Sequence, residues 1–107
     1  MNTHIEEQKF IDFIQSIINR PGMFLVSKVE DLYFVILGFK SGFWIYNNND
    51  AIEKLIYDFR QFVNKEFNSN GDHDWPKLIR FYSNGDKNSL DLFAKVFEEF
   101  LLQKSNG

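Results

Sequence analysis

The segment Asp72-His73-Asp74 holds the side chains of this chain that are best suited to chemistry. A histidine between two carboxylates can bind a metal ion or transfer a proton. The other histidine of the sequence is His4, and no third ligand stands at a spacing typical of metal sites. We therefore interpret the segment as a polar loop that ends in the N-cap of a helix, and we expect neither a metal nor another cofactor.

Sequence signatures of common enzyme classes are absent from the chain. It has no cysteine, no Gly-x-Ser-x-Gly or His-Glu-x-x-His motif, and no glycine-rich loop that would hold a phosphate. These observations exclude cysteine-ligated metal centres and predict that the protein is not an enzyme. A small hydrolase that uses His73 and nearby carboxylates remains a third hypothesis, after the two given below.

Acidic residues form the one charged surface that the sequence offers as a binding site. Fifteen Asp and Glu against twelve Lys and Arg give a net charge of −3, which disfavours direct binding of nucleic acid and is compatible with a basic protein partner. Helical spacing predicts that three acidic residues of the last helix share a flank, close to those of the preceding loops. The predicted partner-binding residues are Asp72, Asp74, Asp86, Asp91, Glu98 and Glu99.

Aromatic residues are unusually frequent, with thirteen Phe, four Tyr and two Trp. Each ring buries a large apolar area, so most of them must lie in the core. In a chain of 107 residues we expect some rings to remain exposed and to mark a contact surface.

Apolar residues recur at intervals of three and four along nearly the whole chain, which predicts helices. The first helix is expected to end near Asn19, the second to follow Ser27, the third to follow Asp50, the fourth to cover 75–82 and the last to run from Ser89 to Gln103. The predicted fold is all-α, a single-domain bundle of about five helices over residues 1–107. A β-hairpin is the alternative for the second helix, because "LYFVILGF" and "FWIYN" are rich in β-formers and Gly42 stands between them.

Side chains that cap helices support this division. Thr3 with Glu6 and Ser27 with Glu30 have the spacing of capping boxes. Asp50 is expected to cap the third helix. Asp74 is expected to cap the fourth, where a proline follows in the first turn.

The turn between the first two helices reads Arg20-Pro21-Gly22-Met23-Phe24. Pro-Gly is typical of a type II turn, in which the glycine takes a positive φ. We expect Met23 and Phe24 to enter the core and to fix the second helix. Arg20 is expected to pair with a carboxylate or to bind the carbonyls that end the first helix.

The N-terminus has no basic region followed by an apolar block, so we see no secretion signal. The apolar run "LYFVILGF" is much shorter than the roughly 18 residues of a membrane span. We therefore expect a cytoplasmic protein that has no contact with membranes.

Two segments together resemble a known bacterial family. "RPGMF" followed by "VEDLYFVILGF", and "DWPKLIRFYSNGDKNSLDLFAKVFEEF", resemble small immunity proteins encoded beside polymorphic toxins, including those of contact-dependent growth inhibition. In that family the turn is usually Arg-Pro-Gly-Met-Tyr and the second helix carries Gly-Tyr, where this chain has Phe24 and Phe39. The residues of the motif are architectural: Arg20, Pro21, Gly22, Met23, Phe24, Gly38 and Trp75.

The resemblance implies a function. Such immunity proteins bind and neutralise a cognate toxin C-terminal domain, often a nuclease, whose basic cleft an acidic helical domain would complement. An inhibitor of this kind acts by stoichiometric binding. The second hypothesis is a helical adaptor or self-associating regulatory domain, such as a homodimer held by exposed Phe and Trp side chains.

Overall fold

The computed structural model describes residues 3–47, 51–69 and 73–106, and it describes the side chains in these ranges apart from those of 3–5 and 43–47. This part of the chain folds into five α-helices and no strand, so the predicted all-α single-domain bundle is confirmed. The helices are α1 (Thr3–Asn19), α2 (Val29–Asn47), α3 (Ala51–Glu66), α4 (Trp75–Phe81) and α5 (Asp86–Asn106), with a 3₁₀ turn at Pro21–Phe24 between the first two.

The hairpin alternative is wrong, because α2 is continuous through Gly38 and Gly42. A Cβ atom at either glycine would meet no other atom within 4 Å. Packing therefore gives no reason for glycine at position 38, and its place in the family pattern is not explained by the structure.

Aromatic rings fill the centre of the bundle, as expected. Trp75 is buried, with its ring centroid 5.2 Å from that of Phe93 and 5.5 Å from that of Phe59. Phe59 also contacts two further rings of α5, Phe97 and Phe100, edge-on. The short helix α4 is thus fixed between α3 and α5 by its first residue, since burying one such ring contributes several kcal/mol.

Helices α1 and α5 run antiparallel along one side of the bundle. Lys104 near the end of α5 lies 3.9 Å from Glu7 near the start of α1, whereas Ile18 and Ala94 border the same cavity further along. Two aromatic rings pack on another flank of α1, where Phe39 stacks on Phe13 at 4.7 Å and Phe24 meets Phe13 edge-on at 5.9 Å.

The start of α2 differs from the predicted capping box. Ser27 donates hydrogen bonds from its backbone N–H and its hydroxyl to Asp31 Oδ2, both at 3.0 Å, so Asp31 takes the place predicted for Glu30. The serine lies two residues before the helix, which puts the partner carboxylate one residue later. A second cap comes from α5: the buried Ser89 hydroxyl accepts the Val29 N–H at 3.0 Å and donates to the Asp86 carbonyl at 2.6 Å.

Two other predicted caps, at Thr3 and Asp50, lie outside the described side chains. The last helix begins at Asp86, three residues earlier than predicted. Its first turn is closed by a hydrogen bond from the Ser89 N–H to the Gly85 carbonyl at 2.8 Å, and by one from the Asn84 N–H to Asn88 Oδ1 at 2.7 Å.

The turn after α1 is also built differently from the prediction. Residues 21–24 form a 3₁₀ turn, and the residue with the left-handed backbone is Leu25 (φ 58°, ψ 35°), not Gly22. The Leu25 N–H donates to the Gly22 carbonyl at 3.2 Å, and the Val26 N–H donates to the Pro21 carbonyl at 3.0 Å. This is a Schellman motif with leucine at the position that favours glycine.

The side chains of the turn are placed accordingly. Met23 is exposed, so the expectation that it enters the core is wrong, whereas Phe24 is half-buried against Phe13. The core residue at this point is Val26. The left-handed backbone of Leu25 reverses the direction of the chain after the 3₁₀ turn. Val26 then lies in the core, and Met23 and Leu25 remain in solvent. Arg20 lies beside Met23, with Nη1 3.7 Å from Met23 Sδ.

Candidate protein-binding surfaces

The described members of the predicted acidic set are divided between different contacts. Asp74 precedes α4 and Asp86 begins α5, and both are engaged by other side chains. Asp91 and Glu98 are exposed on α5, seven residues or about two turns apart. Glu99 lies about 100° around the helix from Glu98 and is half-buried. Asp72 lies outside the described residues.

Exposed rings stand on α2 and at the end of α4, two helices that contact each other. Phe34 of α2 is 68% exposed, and Phe81 at the end of α4 is 76% exposed. Tyr82, the next residue, meets Phe81 edge-on at 5.0 Å and stacks on Phe67 at 4.6 Å. We call the exposed rings Phe34, Phe81 and Tyr82 the aromatic face.

An ion-pair network braces the aromatic face. Arg80 donates from Nη2 and Nε to the two carboxylate oxygens of Glu30, at 2.7 and 2.8 Å, and Nη2 also donates to Asp86 at 3.0 Å. The Arg80 hydrogen bonds lower the pKa of Glu30 from 4.5 to about 2, and the same contact raises the pKa of Arg80. Phe34 lies one helical turn beyond Glu30, and Phe81 follows Arg80, so the bidentate pair fixes the helices that carry both rings.

Asp74 joins α2 to the start of α4. Its Oδ1 accepts the Trp75 N–H at 3.0 Å, which confirms the predicted N-cap. Its Oδ2 accepts a hydrogen bond from the Tyr33 hydroxyl, also at 3.0 Å. Burial of the Tyr33 ring, together with this carboxylate, raises the pKa of Tyr33. Asp74 therefore has two structural roles, as the cap of α4 and as the partner of Tyr33 on α2. The Tyr33 ring contacts Phe34 edge-on at 5.7 Å.

His73 contributes its backbone to the structure. Its carbonyl accepts hydrogen bonds from the buried Asn64 side chain at 2.8 Å and from Arg60 at 3.2 Å, which fixes the chain just before α4. Its side chain is exposed. Within the part of the chain that the structure describes, no group of three His, Asp or Glu side chains is placed to hold a metal ion.

A second exposed apolar region lies on the turn after α1. Met23 is 71% exposed and Leu25 is 90% exposed, on a backbone that the two Schellman hydrogen bonds hold rigid. Beside them opens a cavity of about 370 Å³, bordered by Pro21, Val26 and residues of α5. We call the exposed pair Met23 and Leu25 the apolar knob, and the knob together with this cavity the turn surface.

The cavity of the turn surface lies between α1 and the first half of α5. Leu90 and Ala94 supply apolar wall, and the charged pair Lys87 and Asp91, 3.6 Å apart, stands at the rim. A shallower depression of about 380 Å³ continues it along the same two helices as far as Glu98. Asp91 and Glu98 thus border one groove.

Sequence reasoning missed three residues of these surfaces, Leu25, Phe34 and Arg80, and the buried cap Ser89. The position of Leu25 had a general signal, because a helical turn often ends in a residue with a left-handed backbone. Phe34 also had one, since it breaks the apolar spacing of α2 while its neighbours Leu32 and Ile36 keep it. The roles of Arg80 and Ser89 depend on partners 50 and 60 residues away, which a single sequence does not reveal.

Comparison with protein-family models, with curated proteins and with solved structures found no match to this chain. Among the described helices, none combines the length and the apolar character needed to cross a bilayer.

Proposed function

We propose that the chain is an immunity protein that binds a cognate bacterial toxin domain, a nuclease, and neutralises it by stoichiometric protein–protein inhibition. The observation that carries the proposal is the aromatic face, in which large exposed rings stand on helices locked together by a bidentate ion pair. The resemblance of the turn and of the two motif segments to immunity proteins gives the class of partner.

The aromatic face has the composition of a binding hot spot. Tyrosine and arginine are enriched among residues that dominate binding energy, and apolar rings anchor an interface when they enter pockets on the partner. Because Arg80 already holds α2 and α4 together through Glu30, the backbone that carries Phe34 and Phe81 is in place before a partner arrives. Such preorganisation reduces the entropic cost of association.

Charge favours a basic partner. The net charge of −3 attracts a domain whose cleft is built to hold nucleic acid, and this attraction increases the association rate more than the final affinity. Asp86, which pairs with Arg80 beside the aromatic face, contributes to that field. We therefore expect association with the toxin domain to slow as salt is raised.

The proposed role requires no catalytic group, since occupying the surface of a toxin is sufficient. It also sets the location. A nuclease that acts on cellular nucleic acid must be met in the cytoplasm of the cell it would damage, and the immunity protein is proposed to act there.

Co-expression with the toxin encoded beside this chain tests the proposal. Cells that carry the toxin domain alone should die, and cells that carry both proteins should survive, with the two chains co-purifying in equal amounts. The control is a toxin domain with an inactivated catalytic site, which should still co-purify.

Death of the cells despite expression of both chains would refute the immunity function. Survival without co-purification would refute inhibition by binding. In the adaptor hypothesis, the same aromatic face receives a different protein and the toxin is not neutralised.

A further inference from the structure

The turn surface combines a projecting apolar side chain with an apolar cavity beside it. Leu25 is almost fully exposed and Met23 largely so, whereas Val26, the next residue of the chain, is buried in the wall of the cavity. The knob and the cavity therefore lie side by side on one region of the molecule.

The backbone shows that the knob is not placed there by the needs of the fold. Leu25 adopts a left-handed conformation that is strained for most residues other than glycine and asparagine, and its own side chain gains almost no burial in return. Glycine or asparagine would end the 3₁₀ turn at lower energy. A strained position that carries an exposed leucine is a reason to look for a function of that side chain.

The cavity is of a size and character that suits such a knob. Its volume of about 370 Å³ lies at the lower end of the range for binding pockets, and its walls include Leu90, Ala94 and Val26. A leucine side chain is small enough to enter this space.

We propose that two copies of this chain form a closed two-fold dimer in which the apolar knob of each copy enters the cavity of the other. A two-fold interface uses the same surface patch on both subunits, and that patch must be self-complementary. The turn surface meets this requirement, because it presents a projection and the matching recess next to one another.

The charges at the rim are self-complementary as well. Lys87 and Asp91 are one turn apart on the exposed flank of α5. We place the two-fold axis perpendicular to α5, which makes the two α5 helices antiparallel, so that Lys87 of one copy faces Asp91 of the partner subunit. Arg20 contacts Met23 of the knob, so in the proposed dimer Arg20 also comes close to the Asp91 carboxylate of the partner subunit. These pairings favour a second copy over a uniformly basic partner, which Lys87 and Arg20 would repel.

The dimer does not compete with the proposed inhibitor function. The aromatic face and the Arg80 network share no residue with the knob or with the walls of the cavity. The dimer can therefore be measured on the purified chain without any toxin, and its failure would leave the immunity proposal standing.

The test is the mass of the purified chain by light scattering and by sedimentation, over concentrations from micromolar to millimolar. We expect a mass that rises to twice the 12.7 kDa of the chain and goes no higher. Leu25→Asn removes the knob but keeps a residue that accepts the left-handed backbone, and it should raise the dissociation constant at least about a hundredfold. Leu102→Asn, at an exposed leucine of α5 outside the cavity, is the matched control and should leave the constant unchanged.

A second variant tests the cavity. Ala94→Met fills it from the wall and should also weaken the dimer. Mixing Ala94→Met with Leu25→Asn should restore a weak heterodimer, because the former supplies a knob and the latter an open cavity.

A wild-type chain that stays at 12.7 kDa at millimolar concentration would overturn the proposal. So would a dimer that Leu25→Asn leaves intact, or one that Leu102→Asn weakens equally. Growth beyond twice the chain mass would show open assembly instead of a closed dimer. Loss of toxin protection by Leu25→Asn in a monomeric protein would show that the toxin, not a second copy, receives the knob.

Discussion

The aromatic face and the turn surface are both apolar and exposed, but they are built in different ways. The aromatic face stands on two helices that are joined by the Glu30–Arg80 pair, and its backbone is regular. The turn surface stands on a short 3₁₀ turn that ends in a strained leucine. The first consists of rings that need a pocket on a partner, and the second has a recess of its own.

This difference indicates two kinds of partner. A surface without its own complement fits a different protein, whereas a surface that pairs a knob with a cavity fits a copy of itself. Variants can therefore separate the two surfaces, because a change in one should leave the other unaffected.

The largest expected effect follows from the double variant Phe34→Ala, Phe81→Ala. Losing two anchoring rings should cost about 4 kcal/mol of toxin binding, or roughly a thousandfold in affinity. Because both side chains are exposed, the fold should be retained and the mass of the dimer should not change. Calorimetric titration with an inactive toxin domain measures the affinity.

Tyr57→Ala is the matched control for this variant, since Tyr57 is an exposed ring on α3, away from the aromatic face. If Tyr57→Ala weakens binding as much as the double variant does, the aromatic face is not the site. If the double variant also makes the dimer dissociate, the two surfaces do not act independently.

A smaller effect is expected when the strain in the turn is relieved. Leu25→Asn should raise the free energy of unfolding by about 1 kcal/mol, because asparagine tolerates the left-handed backbone and the lost leucine was not buried. Urea unfolding at a concentration where both proteins are monomeric measures this. Met23→Asn, in the same turn, should bring no such gain, and an unfolding free energy lowered by Leu25→Asn would show that the leucine stabilises the monomer.

Much of the architecture could be predicted from the sequence. Local spacing predicts the five helices, the Asp74 cap and the aromatic core. This is possible because the spacing of apolar residues in an amphipathic helix indicates which face is buried. Met23 was misplaced because the pattern Pro-Gly fits more than one turn, and the choice depends on how Val26 reaches the core. The candidate site was only partly predictable. Asp86 is an acidic residue by sequence, yet the structure ties it to Arg80, whose other partner comes from α2.

The smallest expected effect is on the free energy of unfolding at acidic pH. The pKa of Glu30 is lowered to about 2 in the folded protein, so its pairing with Arg80 stabilises the fold fully above about pH 4.5 and is lost as the pH falls toward 2. Since the Glu30 side chain is 40% exposed, solvent screening reduces the contribution of this pair to the free energy of unfolding to about 1 kcal/mol or less. Urea unfolding at pH 7 and pH 3 measures the acid loss, which is the decrease in the free energy of unfolding between the two pH values. The acid loss should be smaller for Glu30→Gln than for the wild type.

Arg80→Ala should reduce the acid loss in the same way, and the double variant should add nothing further. An acid loss in Glu30→Gln equal to that of the wild type would show that the brace of the aromatic face does not depend on this charge. The turn surface should keep its dimer in each of these variants at pH 7.

The hydrogen bond from Val29 to Ser89 has a consequence for the order in which the molecule is completed. The two residues are 60 positions apart, so the ribosome has released the start of α2 long before the hydroxyl that caps it has been synthesised. The same late segment supplies Leu90 and Ala94, the far wall of the recess that receives the knob. A nascent chain therefore carries the knob without the complete cavity, and pairing between copies must wait until α5 has been synthesised.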